Sequence, residues 1–117
     1  MLLNNWTQSL TNNKKASAGF AKNNPQMMEA FKQVNLAHAT PGVLDAKTRE
    51  LIALAVAVTT RCDGCIAAHA AAARKAGVTE QELSEALGTA IALNAGAAYV
   101  YSLRALDALG EFAGNQA

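Results

Sequence analysis

The chain has 117 residues, a mass of 12.2 kDa and a formal net charge of +1 at pH 7. This length suits one domain and leaves no room for a second hydrophobic core, so we expect a single domain over residues 1–117. Hydrophobic residues make up 51% of the chain and charged residues 16%, which excludes a disordered protein. The basic residues form no continuous stripe, so nucleic acid is not an expected partner.

The sequence predicts neither a membrane span nor a secretory signal. The longest uncharged apolar run, Leu51–Val58, is far shorter than the roughly 20 residues that cross a bilayer. No Lys or Arg precedes Lys14, and two leucines lead directly into Asn4-Asn5, so the charged and apolar parts of a signal peptide are both missing. We therefore expect a cytoplasmic protein that binds no membrane.

Alanine dominates the composition, with 27 residues, while proline occurs twice and aromatic residues make up 5%. This balance favours helix over strand and predicts an all-α fold, a compact bundle of about six helices. Alanine-rich faces bury little area per residue, and a short chain loses a small fraction of its surface on folding. Association of several copies is therefore expected to supplement the core.

The first two predicted helices precede a Thr-Pro-Gly turn. The first covers about residues 3–21. The second begins at Asn24-Pro25, because Asn caps exposed amides and Pro has no amide to lose at the first helical position, and it ends near Ala39. Residues 40–42 then stop the helix. Four apolar side chains of the second helix are expected to pack in the core: Met27, Met28, Phe31 and Val34.

The third and fourth predicted helices are separated by a polar interruption at residues 59–61. Asp45 is the expected cap of the third helix, which runs through Val58 and is apolar on most of its circumference, as is typical of a buried helix. The fourth helix is predicted over 62–76 and closes at Gly77.

The last two predicted helices follow a capping box. Thr79 with Glu82 three residues later begins a helix whose apolar residues recur at 83, 87 and 91. Asn94-Ala95-Gly96 predicts a break, after which a sixth helix carries apolar residues at 99, 103 and 106.

Both cysteines and one of the two histidines lie within eight positions, in the pattern Cys62-x-x-Cys65-x-x-x-His69. On a helix these offsets share one face, so the three side chains can act together. A structural disulfide closing so short a loop would contribute only about 2 kcal/mol, and the cytosol keeps thiols reduced. The spacing still permits a disulfide, so we expect the pair to cycle between dithiol and disulfide.

A thiol that attacks a peroxide must ionise, and an unperturbed cysteine is only about 3% thiolate at pH 7. The helix start near Cys62, the second thiol and His69 as proton acceptor can each favour the thiolate. Glu50 precedes Cys62 by twelve residues. In an antiparallel helix pair the two residues would differ in height by only a few ångström, and a bridging water could close the remaining gap so that Glu50 orients the imidazole.

Two acid–base residues also have plain structural interpretations. Glu50 could equally be a solvated glutamate paired with Lys47 or Arg49 at the start of its helix. His38 lies near a helix end, where a capping or surface role is expected, and we assign it no chemistry.

Glu50 followed by Cys62-x-x-Cys65-x-x-x-His69 and by Ala76-Gly77-Val78-Thr79 resembles the alkyl hydroperoxidase D branch of the carboxymuconolactone decarboxylase-like family. The resemblance covers about residues 45–93, the family's core. It implies an all-helical homotrimer or homohexamer with no cofactor and no metal. It also implies that Cys65 is the peroxidatic thiolate, Cys62 the resolving thiol, and His69 with Glu50 the proton relay.

The implied activity is reduction of alkyl hydroperoxides in antioxidant defence, with a dithiol donor to restore the cysteines. The best-studied hydroperoxidases carry His where this chain has Gly64, so the donor stays open among a lipoyl-bearing protein, thioredoxin and a small thiol. Three alternatives also stay open. The first is a thiol–disulfide oxidoreductase without a peroxide substrate. The second is the decarboxylase reaction of the family, although the decarboxylases generally lack the cysteine pair. The third is a non-enzymatic zinc site at Cys62, Cys65, His69 and Glu50.

Overall fold

A computed structural model describes residues 3–114, which form five α-helices and no strand. The all-α fold class is confirmed, with five helices rather than about six. The helices are α1 Trp6–Asn23, α2 Pro25–Ala39, α3 Ala46–Thr59, α4 Asp63–Lys75 and α5 Glu80–Gly114.

The predicted start signals of α2, α3 and α5 are confirmed. Asn24 accepts a hydrogen bond from an amide in the first turn of α2, and Pro25 is the first residue of that helix. Asp45 caps α3 in the same way over 2.7 Å, and this hydrogen bond from a backbone amide lowers the pKa of its carboxyl. Thr79 and Glu82 form the reciprocal pair of a capping box, with distances of 2.9 and 3.1 Å.

The predicted break at residues 94–96 is wrong, because α5 continues without interruption through this segment. The Asn94 side chain makes one hydrogen bond within its own helix, because its Nδ2 donates to the carbonyl of Ala90, one turn earlier, over 2.8 Å. The same nitrogen donates to the Thr59 hydroxyl at the end of α3 over 2.9 Å. Asn94 therefore ties two helices together instead of ending one.

The core lies where α3 packs against α4 and α5, while α1 packs against α4 and α2. Leu54, Ala73 and Val78 form its centre, with the partly buried Leu51 and Leu83 packed against them. These side chains come from α3, α4 and the segment that begins α5. The α3–α4 pair therefore carries the core residues beside which a site can be built.

Two apolar faces lie outside this core. The prediction that the apolar face of α2 packs in the core of the chain is wrong, because Met27 and Phe31 are each 55% exposed. Helix α3 is buried on one face only, and Ile52 and Val56 of its other face are exposed. The radius of gyration is 19.7 Å, against about 13 Å for a compact 100-residue domain, because α5 extends past the other helices.

Helix α5 has the length and composition of a membrane-crossing helix. It has 35 residues, and its most apolar 18-residue window reaches a mean hydropathy of 1.2. Core helices of soluble proteins meet the same criteria, so a single helix of this kind does not by itself establish a membrane span.

Candidate active site

Helices α3 and α4 are joined by a tight reversal of the chain at residues 60–62. Arg61 adopts a φ of 55°, in the left-handed region that few non-glycine residues enter. The amide of Cys62 donates to a carbonyl of α3 over 3.0 Å, which fixes the direction in which the chain leaves the turn. The two helices consequently run antiparallel, and Glu50 of α3 faces His69 of α4.

Glu50 and His69 are joined by a direct hydrogen bond of 2.7 Å between Oε2 and Nδ1. No bridging water is needed to connect them, in contrast to the sequence-based expectation. Both side chains are largely sheltered, with exposed fractions of 14% for Glu50 and 29% for His69. An ionised carboxylate can only accept, so Nδ1 carries the hydrogen, and Nε2 of the neutral ring is left to accept a proton.

The alternative interpretation of Glu50, as a surface glutamate paired with Lys47 or Arg49, does not match the contacts. Lys47 instead pairs with Glu82 at 2.7 Å, and this contact is the first cause of the lowered pKa of the Glu82 carboxyl. Arg49 donates to backbone carbonyls at the end of α2. The contacts of Glu50 are with histidines.

Cys62 and Cys65 form a disulfide, with their Cα atoms 5.2 Å apart. Cys62 is the N-cap of α4 and lies one residue before the helix, whereas the prediction placed it inside the helix. Its sulfur accepts a hydrogen bond from the Cys65 amide over 3.1 Å. Cys62 is half-buried, whereas Cys65 in the first turn is exposed. Cys65 is therefore the more accessible residue of the bonded pair.

A cavity of about 520 Å³ opens beside Cys65 and His69. One wall comes from α3 and is mainly apolar, with the exposed Ile52 and Val56 among its residues, and another wall comes from the end of α2. The cavity can accommodate an apolar organic molecule next to the sulfur and the imidazole. The α3 residues of the wall are Arg49, Ile52, Ala53, Val56 and Ala57.

His38 is the residue that sequence analysis missed. Its Nε2 lies 3.7 Å from Oε1 of Glu50, and its ring stands edge-on to that of His69, with centroids 5.6 Å apart. The two carboxylate oxygens of Glu50 thus each face an imidazole. The Thr-Pro-Gly turn was the available signal, because a turn that reverses the chain after α2 brings the end of that helix back against the start of α3.

Arg49 holds the end of α2 in this position. Its Nη1 donates to the carbonyl of His38 over 3.0 Å and also to the carbonyl of Thr40. These are carbonyls of the last turn of a helix, which have no partner inside it. The guanidinium of α3 therefore fixes the backbone that carries His38.

Gly64, the residue before Cys65, lies close to the Asn13 side chain of α1. A Cβ at this position would lie 2.8 Å from Nδ2 of Asn13, closer than van der Waals contact allows. A side chain here would have to move the end of the flexible Asn13 side chain. The second imidazole beside Glu50 belongs to His38 of α2.

Among residues 3–114, three side chains offer metal-ligand atoms that all lie within 4.8 Å of one another: His38, Glu50 and His69. The zinc site considered from the sequence used both cysteines with Glu50 and His69. The structure groups the same glutamate and His69 with His38 instead, and the sulfurs are bonded to each other.

Comparison with known proteins gives consistent matches. The sequence pattern of the Carboxymuconolactone decarboxylase family matches residues 25–108. An uncharacterized protein of Haemophilus influenzae is 56% identical over 107 residues, which cover 92% of this chain and 95% of the relative. Uncharacterized protein 4 in the cox locus of Paracoccus denitrificans is 40% identical over 86 residues, covering 74% of this chain and 78% of the relative.

A solved structure is also similar over nearly the whole chain. The crystal structure of apo-lpg0406, a carboxymuconolactone decarboxylase family protein from Legionella pneumophila, superposes with a TM-score of 0.72 at 36% sequence identity. The match covers 92% of this chain and 96% of the Legionella chain.

Proposed function

Because this chain belongs to the carboxymuconolactone decarboxylase family, we propose that it works in that family's hydroperoxidase chemistry, as a thiol peroxidase of alkyl hydroperoxides. The observation that carries the proposal is the Glu50–His69 hydrogen bond beside a cavity that also contains Cys65 of a disulfide-forming pair. A carboxylate that orients an imidazole next to a nucleophile is the usual arrangement for activating a thiol.

In the proposed first step, His69 Nε2 takes the proton of Cys65, and the thiolate attacks the terminal oxygen of the hydroperoxide. The S–O bond forms as the O–O bond breaks, which leaves a sulfenic acid on Cys65 and an alkoxide that takes the proton back from His69 to become an alcohol. Glu50 stabilises the imidazolium that exists between these two transfers.

In the second step, the sulfur of Cys62 attacks the sulfenic sulfur of Cys65. The S–S bond forms, the S–O bond breaks, and the hydroxyl leaves as water with the Cys62 proton. The sum is that two thiols and one hydroperoxide give one disulfide, one alcohol and one water. A dithiol donor reduces the disulfide again, and exposed Cys65 is the sulfur that its thiolate reaches first. This cycle suits the reducing cytoplasm.

The test is the stoichiometry and rate of the reaction of prereduced protein with cumene hydroperoxide. We expect one equivalent of peroxide to convert both thiols to the Cys62–Cys65 disulfide, as measured by stopped flow and by mass spectrometry of the peptide that contains both cysteines. Slow, unsaturable oxidation that matches the rate of free glutathione would contradict a peroxidase.

A thiol–disulfide oxidoreductase is the second candidate, and the exposed position of Cys65 in a disulfide favours it. Such an enzyme would exchange disulfides with a small substrate much faster than it reduces peroxide. Measuring both rates on one preparation separates the two activities, and an assay with carboxymuconolactone tests the decarboxylase reaction of the family.

We further propose that the working protein is a homotrimer or homohexamer whose copies cover the apolar faces of α2 and α5. Within one chain, Tyr99, Leu103 and Leu106, which recur at helical spacing on one side of α5, are 68%, 48% and 66% exposed. Such a continuous apolar surface on a 12.2 kDa chain is what a second copy would bury.

Light scattering after size exclusion should therefore give three or six times the mass of one chain. Leu106→Glu places a charge in the proposed contact and should shift the mass towards the single chain, whereas Leu106→Met should keep the assembly. A wild-type mass of one chain at micromolar concentration would overturn this proposal.

A further inference from the structure

His38, Glu50 and His69 form a cluster of two imidazoles around one carboxylate. Proton transfer from Cys65 needs only Glu50 and His69. His69 Nδ1 and His38 Nε2 approach different oxygens of the Glu50 carboxylate, at 2.7 and 3.7 Å. The proposed peroxide reaction uses only one of these imidazoles. The Arg49 guanidinium donates a hydrogen bond to the backbone carbonyl of His38, so the backbone at this position is held independently of the contacts of the ring.

These distances fit a small, borderline-soft metal ion. Ligand atoms that are each about 2.1 Å from a tetrahedral zinc ion are roughly 3.4 Å apart, between the two distances that the carboxylate makes with the imidazoles. Two imidazoles on one such ion have centroids about 5 Å apart, and those of His38 and His69 are 5.6 Å apart. Small side-chain movements would let all three groups share an ion.

The surroundings leave room for the ion and for its remaining ligands. His38 lines both the cavity that contains Cys65 and a second cavity of about 450 Å³ on the other side, which Glu50 also lines. An ion between the imidazoles would therefore have open coordination positions and a route from solvent. Arg49 and Lys75 also line the second cavity, and their positive charges will weaken the binding of any cation.

From this geometry we infer that His38, Glu50 and His69 form a binding site for a divalent transition metal of the Zn²⁺ class. Two imidazole nitrogens and one carboxylate are a common zinc ligand set, whereas Mg²⁺ and Ca²⁺ prefer oxygen ligands alone. Metal binding at Nδ1 of His69 moves the hydrogen of the neutral ring to Nε2. In so far as the proposed function holds, Nε2 then no longer accepts the Cys65 proton, and the ion inhibits peroxide reduction.

The test is calorimetric titration of Zn²⁺ into the disulfide form of the full-length protein without a histidine tag, because the bonded sulfurs cannot then act as thiolate ligands. We expect saturable binding of one ion per chain. His38→Ala should weaken it by roughly tenfold or more, whereas Gln33→Ala, at an exposed position of the same helix away from both cavities, should bind as the wild type does. Circular dichroism checks that each variant is folded.

Visible absorption of Co²⁺ bound to the disulfide form gives a second readout. The wild type should show the bands of a site with nitrogen and oxygen ligands, and these bands should be absent in His38→Gln. Absence of binding to the wild type, or unchanged affinity in His38→Ala, would overturn the site. Both measurements use oxidised protein without turnover, so this result is independent of whether the protein reduces peroxides.

Discussion

Cys65→Ser should abolish peroxide reduction, lowering the single-turnover rate by about three orders of magnitude or more. A serine hydroxyl is far less nucleophilic than a thiolate, and Cys65 is the cysteine that is exposed and shares a cavity with His69. The measurement is stopped-flow consumption of cumene hydroperoxide by prereduced protein.

Cys62→Ser is the matched control, because it removes the other sulfur of the same pair. It should consume one equivalent of peroxide and then stop with a sulfenic acid on Cys65, which dimedone labels and mass spectrometry locates. A reversed outcome, with Cys62→Ser inert and Cys65→Ser active, would assign the attack on peroxide to the sulfur at the helix cap. Equal rates in wild type and Cys65→Ser would exclude the mechanism altogether.

Glu50→Gln should slow the same single turnover by about 10²-fold or more, since the amide keeps the shape of the side chain but loses its charge. The amide can also donate to Nδ1, which would leave the hydrogen on Nε2, the nitrogen that has to accept the thiol proton. His69→Asn should cause a comparable loss. The double variant should be little slower than either single variant, because the two residues act as one unit.

Glu82→Gln provides the control for loss of a carboxylate in the same helix assembly. Glu82 caps α5 and pairs with Lys47, away from the cavity, and glutamine can still serve in a capping box. Its peroxide rate should equal that of the wild type. If Glu50→Gln were as fast as Glu82→Gln, then Glu50 would have no part in proton transfer.

Local signals predicted much of the helical framework. Asn24, Asp45 and the Thr79–Glu82 pair begin helices because their side chains accept hydrogen bonds from amides three residues away, which is information contained in a few consecutive positions. The approach of Glu50 to His69 was also predictable, since one short turn between two helices of known rise fixes the height of each residue.

The errors arose where the outcome depends on distant parts of the chain. Asn94 resembles a helix breaker locally, yet the Thr59 hydroxyl 35 residues earlier gives its amide a partner. His38 was assigned no chemistry because nothing near it in sequence shows that the Arg49 guanidinium secures the end of α2 beside Glu50. For Asn94 a hydrogen bond within its own helix, to the Ala90 carbonyl, adds to the contact with Thr59, whereas for His38 the deciding contacts are between helices.

The two walls of the cavity beside Cys65 differ in how they are connected to the hydrophobic core, and this difference affects the range of substrates that the cavity accepts. The wall from α3 is continuous with the buried residues Leu54 and Ala57, whereas α2 has no buried residue and is joined to α3 through Arg49 and His38. Substitutions on α2 can reshape its wall while Glu50, Cys65 and His69 stay in place on the α3–α4 pair. Tolerance for bulky or branched hydroperoxides should therefore be governed by α2, and the reactivity towards the O–O bond by the α3–α4 pair.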